Sequence, residues 1–301
     1  MSIIFRHYKS LKDYQDVNDF LIAYHRPKND DGNWLQPAWE YMFAHPYLDR
    51  TSLEKIGIWE KHGAIVGVAH YESRLGEVFF EFHPNYRHLK VEMLDYAERN
   101  LAETSQNGQK ILHAFINDMD GEFTSLVKER GYDKKDEESR VMCQFVLPDP
   151  FPPITLPKGF GLTSLAEECD WKKVHRVIWR GFNHEGEPPT GDEALQERRV
   201  LFDTPTARRD LKIAVRAPNG NFVAFCGMFH ESKNQFAYVE PVATDPDYRR
   251  MGLGKAAVLV GIRRCGLLGA TVAYVGNDLP IYRAIGFKNL YISQCWEKKF
   301  E

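Results

Sequence analysis

Residues 248–257 read Tyr248, Arg249, Arg250, Met251, Gly252, Leu253, Gly254, Lys255, Ala256, Ala257. Two glycines stand one residue apart. Two arginines precede them, a lysine follows, and an apolar run begins. That pattern suits an anion. Where a strand turns into a helix, the first backbone N–H groups of the helix lack intrahelical partners, and the helix dipole adds positive charge. A side chain at the turn would block a phosphate, so glycine is favoured there. Arg249, Arg250 and Lys255 bring cations to the same place. The chemistry is that of a pyrophosphate cradle. The plainer alternative is an ordinary turn with solvated arginines.

The elements around this stretch are those that such a cradle needs. The run "QFAYVEPVAT" before it reads as a strand, and a helix is expected from about Gly254 to Leu268. The strand "ATVAYVG", the short helix "LPIYRAIGF" and a last strand "LYISQCWEKKF" follow. Upstream, "ECDWKKVHRVIWRGFNHE" places Trp171, Val174, Val177 and Ile178 at helical spacing, and "EALQERRVLFD" reads as a second helix. Two β-rich runs flank Asn219-Gly220, a hairpin signal. The first half repeats this order, with a hairpin at His62-Gly63. "HPNYR" at 83–87 matches "DPDYR" at 245–249, and "LVKERGY" at 126–132 matches "IYRAIGF" at 281–287, as a duplicated fold would. Between the halves lies the proline-rich "LPDPFPPITLPKGF", read as a linker with one short strand around Ile154.

Composition sets limits on function. A chain of 301 residues with 43% hydrophobic and 27% charged residues fits a globular protein of two domains. The net charge of -3 supplies no basic field for nucleic acid or anionic lipid, so neither is an expected partner. The most apolar stretch is broken by Arg263 and Arg264, which argues against a membrane span. The N-terminal residues lack the pattern of a secretory signal. The five cysteines have no metal-site spacing, so reduced thiols, no metal and a cytoplasmic location are expected.

The segment "VATDPDYRRMGLGKAAV" resembles motif A of the GNAT superfamily of N-acyltransferases, Arg/Gln-x-x-Gly-x-Gly/Ala, through Arg249, Gly252 and Gly254. "YRAIGF", with Tyr282, Gly286 and Phe287, resembles the family's motif B, in the expected order and spacing. No GxxxxGK[ST] occurs, and a Rossmann fingerprint would need a third glycine in another βαβ setting. The resemblance is strong over about residues 155–301 and weak over 1–147. It implies an α/β (α+β) fold of two tandem GNAT-like domains, each a mixed, mostly antiparallel sheet flanked by helices. The expected boundaries are 1–147 for a degenerate domain, 148–158 for the linker and 159–301 for the active domain.

The resemblance also implies acetyl-CoA or another acyl-CoA as donor and an amine, expected to be small, as acceptor. Val242, Ala243 and Thr244 would bind the pantetheine and acetyl group through their backbone, beside a bulge that Pro241 supports. Arg249, Arg250, Met251, Gly252, Leu253, Gly254 and Lys255 would hold the pyrophosphate, and Asn277 would meet the cofactor arm. Tyr282 would be the general acid. For the base, Glu240 leads, in an otherwise apolar strand. His230, His184, Glu185 and Glu187 are weaker candidates, the last three in a loop where the family builds its acceptor site. In the first half, Lys90 and Glu92 stand at the places of Gly252 and Gly254, and Val127 at that of Tyr282. That half is expected to bind no CoA. Its residues Tyr24, His25, Arg26, Trp34 and Trp39 are candidates to wall an acceptor cleft. A non-catalytic acyl-CoA sensor and acylation of a protein amine stay open as alternatives, as does the oligomeric state.

Overall fold

The computed structural model describes residues 2–30, 32–105 and 108–300. The first half runs β1 (Ile4–His7), α1 (Leu11–Ala23), α2 (Gln36–Ala44), β2 (Gly57–Lys61), β3 (Ala64–His70), β4 (Glu77–Phe82), α3 (Lys90–Asn100), β5 (Glu103–Thr104), β6 (Lys110–Asn117), α4 (Gly121–Glu129) and β7 (Asp133–Val146). The second runs β8 (Gly161–Ser164), α5 (Trp171–Gly181), α6 (Asp192–Phe202), β9 (Lys212–Arg216), β10 (Phe222–Glu231), β11 (Phe236–Thr244), α7 (Leu253–Leu267), β12 (Val272–Val275), α8 (Pro280–Ile285) and β13 (Lys288–Phe300). Both halves keep the anticipated order. The stretch around Ile154 differs: residues 151–160 form no strand, and regular structure resumes at Gly161. The prolines explain this, since each removes a ladder donor.

The chain divides into two compact units, Met1–Met142 with Leu290–Glu301, and Cys143–Asn289. This division differs from the one drawn at the proline-rich segment. The last strand, β13, pairs with β6 over Ser293–Phe300 and Asn117–Lys110, so it completes the first unit. The end of β7 pairs with β12, Val146 against Val272 and Cys143 against Val275, so it completes the second. Strand pairing decides membership here, and sequence proximity does not.

In the first unit β2, β3 and β4 form an antiparallel meander, and β4 then runs parallel to β6. Its core closes around Trp39, Trp59, Tyr71 and Phe82, all essentially inaccessible. In the second unit β8, β9, β10 and β11 are antiparallel neighbours and β11 runs parallel to β12. The almost unbroken apolar run of β10 is buried on both faces, as a central strand covered by helices must be. Helix α5 turns Val174, Val177 and Ile178 inward, and α7 is buried along most of its length. Among the described residues no helix is long and apolar enough to cross a membrane.

Candidate active site

Strand β11 is where the site begins. Its register with β10 runs Ala224–Thr244, Phe225–Ala243, Cys226–Val242, then shifts and resumes at Met228–Val239. Glu240 and Pro241 thus oppose Gly227 alone, which is the irregularity expected at Pro241. The Glu240–Pro241 peptide is cis. Gly227 admits the bulge, because a Cβ there would overlap the Glu240 carbonyl oxygen. A glycine inside an otherwise apolar strand was the available sequence signal for it.

On its other edge β11 pairs with β12 only from Phe236 to Tyr238, and the strands then part. The Asp245 N–H donates to the Val223 carbonyl. Alternation along the strand therefore turns the backbone groups of Val242 and Thr244 toward the gap. This edge can take a ligand's amide groups, and among the described residues no strand covers it. Ala243 is buried and points away, while Val242 and Thr244 are half-buried.

The two motif glycines prove to have different reasons. Gly252 caps α7 with φ 80° and ψ 3°, a left-handed conformation that favours glycine. A Cβ there would meet nothing within 4 Å, so the space beside it is open for an anion. Gly254 is a packing residue: a Cβ would lie 2.7 Å from Thr244 Oγ1 and 3.0 Å from Ile281 Cδ1. It clears room for the neighbouring elements and not for a phosphate. The N–H groups of Leu253, Gly254 and Lys255 head the helix, and the first intrahelical bond at this end is Ala256 N–H to Gly252 O, 3.0 Å. A groove of about 480 Å3 runs alongside, lined by Pro153, Ile154, Leu156, Met251, Gly252 and Lys255 among others.

The cations are placed less simply than their spacing implied. Arg249 directs its guanidinium to the Thr244 and Gly181 carbonyls, 3.3 and 2.8 Å, and to Asn183 Oδ1, 2.8 Å. It braces the turn from behind. Lys255 donates to the Ala284 carbonyl, 2.9 Å, and so caps α8. Arg250 is exposed with φ 63° and, among the described residues, forms no ion pair. It is the cation best able to meet a phosphate. Met251 is exposed and Leu253 buried. Asn277 is exposed and accepts from Leu279 N–H, 3.0 Å, ahead of α8. Asp245, which sequence reasoning passed over, is fully buried beneath the turn with Arg176 at 3.0 Å and Arg180 at 2.8 Å. Burial alone would raise its pKa. The Arg180 hydrogen bond, the Asp247 amide and the two arginine charges hold the carboxyl below its usual range.

Tyr282 lies in α8, 5% exposed, with its ring against Phe287. Burial pushes its pKa above the ordinary tyrosine value, and the negative forms of Cys226, Glu240 and Cys143 add to the rise. The phenol therefore stays protonated at neutral pH. Glu240 lies near enough to Tyr282 and Cys226 to act on both electrostatically. The two expected catalytic residues thus interact electrostatically. His184 stacks on Trp179 at 4.5 Å, and Glu185 and Glu187 are exposed. His230 is half-buried, with burial lowering its pKa. Among the described residues no group of three His, Cys, Asp or Glu could hold a metal.

The first unit departs from this geometry at each point. Lys90, at the place of Gly252, sends its ammonium to Asp120 and Glu122, 2.9 and 2.6 Å. Glu92, at the place of Gly254, accepts from Trp59 Nε1, 2.8 Å. Val127 is a core residue. Of the candidate cleft aromatics, Trp39 lies in α2 as a core residue, Trp34 packs on His70 and Phe79, and Tyr24 packs on His83. Arg26 pairs with Asp30 at 3.5 Å.

Comparison with known proteins bears on the fold. Residues 171–287 match the acetyltransferase (GNAT) family. Among solved structures, a GCN5-related N-acetyltransferase from Sphaerobacter thermophilus is similar with TM-score 0.63 at 14% identity, covering 99% of this chain and 95% of that one. A tandem GNAT protein from the clavulanic acid biosynthesis pathway is similar with TM-score 0.65 at 13% identity, covering 99% and 98%. A GNAT-family acetyltransferase from Colwellia psychrerythraea gives 0.60 at 12%, covering 99% and 100%. Among curated proteins none matches the chain. The match of residues 171–287 to the acetyltransferase (GNAT) family and the likeness to solved structures give one conclusion: the chain has the tandem GNAT fold, with the family's pattern in its second unit.

Proposed function

We propose that the second unit transfers an acetyl group from acetyl-CoA to the amine of a small molecule by direct attack. The observation that carries this is the open space at Gly252, continuous in chain order with the parted edge of β11 and followed by Tyr282. The pyrophosphate would rest on the α7 N–H groups beside Arg250. The pantetheine amides would bond the backbone of Val242 and Thr244. An attacking amine must first be neutral, and a lysine-like amine has a pKa near ~10.4, so proton removal helps at pH 7. Glu240 takes that role, directly or through water. As the tetrahedral intermediate collapses, the C–S bond breaks and Tyr282 protonates the departing thiolate. Much of the rate comes from holding amine and thioester together.

The test is release of free CoA thiol from acetyl-CoA against a panel of small amines, polyamines, amino sugars and peptides. Turnover with a small amine is expected. Tight acetyl-CoA binding with no amine-dependent release would favour a sensor, and release only with peptides would move the acceptor to proteins. Gly252→Glu should lose acetyl-CoA binding and its thermal stabilisation; unchanged stabilisation would remove the cradle.

A further inference from the structure

Arg249 is the leading residue of the glycine motif, yet its side chain points away from the space beside Gly252. Its three bonds end on β11, at the Thr244 carbonyl, and on the far end of α5, at the Gly181 carbonyl and Asn183 Oδ1. The α5 side answers in kind. Arg176 and Arg180 reach back to Asp245, and Arg180 to Asp247 at 2.6 Å, both aspartates in the segment leading into the turn. The clasp is close: a Cβ on Gly181 would lie 2.7 Å from Ala243 Cβ and 2.9 Å from the Thr244 nitrogen. Beyond Gly181 the chain leaves α5 in the exposed loop 182–191, which leads to α6. The start of that loop is held to α5 by the Phe182, Asn183 and His184 N–H groups, which donate to the Ile178, Arg180 and Trp179 carbonyls, 3.0, 3.0 and 3.2 Å. Asn183, with φ 58°, also accepts from Arg249, while Trp179 packs its ring on His184 and donates from Nε1–H to the Gly186 carbonyl, 3.2 Å.

We propose that Arg249 is a positioning residue that couples donor binding at the Gly252 turn to the ordering of loop 182–191, which receives the acceptor. This rests on the donor reading of the turn. A donor that fixes the turn fixes the Arg249 backbone, and the guanidinium then fixes Gly181 and Asn183. A guanidinium suits the task because its planar fork serves several acceptors at once, which an ammonium cannot do in the same geometry. The exposed Glu185 and Glu187 in the loop fit a cationic acceptor.

Amide hydrogen exchange on the full chain, with and without acetyl-CoA, tests this without knowledge of the acceptor. In the wild type acetyl-CoA should slow exchange in residues 182–191 by ~5-fold or more, the lower end of ordinary site-to-site coupling. Arg249→Ala and Asn183→Gly should still bind acetyl-CoA and lose that protection, while Arg249→Lys restores only part of it. Asn183→Gly tolerates the positive φ and leaves the arginine in place, so it separates coupling from folding. Protection that persists in both variants, or acetyl-CoA that binds the wild type without protecting the loop, would overturn the proposal. So would Arg249→Ala losing acetyl-CoA as fully as Gly252→Glu, which would make the arginine a phosphate ligand. Failure of the wild type to bind acetyl-CoA at all would instead overturn the donor reading beneath it.

Discussion

Strand β4 of the first unit and strand β11 of the second hold the same place in their sheets, between an antiparallel partner and a parallel one. Their registers show what separates a filled cleft from an open one. Phe82 pairs with Gly67 as Thr244 pairs with Ala224, and the same counting sets His70 at the place of Gly227. The register of β3 on β4 runs without a shift through His70–Phe79, whereas β11 bulges opposite Gly227. His70 is fully buried and bonded to Glu81, 2.9 Å. The parting edge of β4 is not left open either. Asn33 donates to the Phe82 carbonyl, 2.9 Å, and accepts from the Phe82 N–H, 2.7 Å. Asn117, at the end of β6, donates to the Asn29 carbonyl, 2.8 Å. A stretch of the first unit's own chain thus spans the gap and offers an amide to backbone groups that match those of Thr244. At the turn, the Asp120 carboxylate meets Arg87 and Lys90, both at 2.9 Å, so an internal anion sits with the cations. In the first unit the matching backbone and charged groups are satisfied from within.

The sharpest way to break this comparison is to carry the first unit's residue into the second. Gly227→His should collide with the Glu240 carbonyl, cost about 3 kcal/mol as overpacking at a rigid strand, and abolish transfer. Urea unfolding and the thiol assay read it, and a stable, active variant would mean that the bulge is not what opens the cleft. Tyr282→Phe should lower kcat by ~100-fold with little change in acetyl-CoA affinity, since a positioned acid contributes on that scale. Because burial raises the Tyr282 pKa, the wild type should show no loss of kcat from this group as pH rises toward 10. A rate in the variant equal to that of the wild type would remove the acid. In the first unit, Asn33→Ala leaves two buried backbone groups unmet and should cost about 2 kcal/mol, with transfer unchanged. A fall in transfer at constant stability would show that the first unit takes part in the chemistry. The smallest effect is expected of Lys90→Gly. Isothermal titration should still find one acetyl-CoA per chain, because the Asn33 bridge remains; a second site would refute self-filling.

Much of this was legible in the sequence. The element order follows from periodicity and from the Asn219-Gly220 and His62-Gly63 turns, with Gly220 at φ 83° and Gly63 at φ 77°. The left-handed turn at Gly252 and the strand irregularity at Pro241 were legible too. What the spacing hid was direction. Arg249, Lys255 and Glu92 each sit where a motif suggests one role, and each side chain turns to a partner distant in sequence. Gly254 looks like Gly252 in the sequence but answers to Thr244 and Ile281. The unit boundaries were hidden for the same reason, since hydrogen bonds between remote strands define them.

Those boundaries bear on how the protein comes into being. The first unit includes residues near the end of the chain, for β6 takes its partner from Leu290–Glu301. During synthesis, which delivers the chain from its N-terminus, that unit waits on β6 with a bare edge until the second has been made. The second unit in turn starts from Cys143, before the prolines. Cutting the chain at the proline-rich segment would strip an edge strand from each side, so neither piece would be a whole domain.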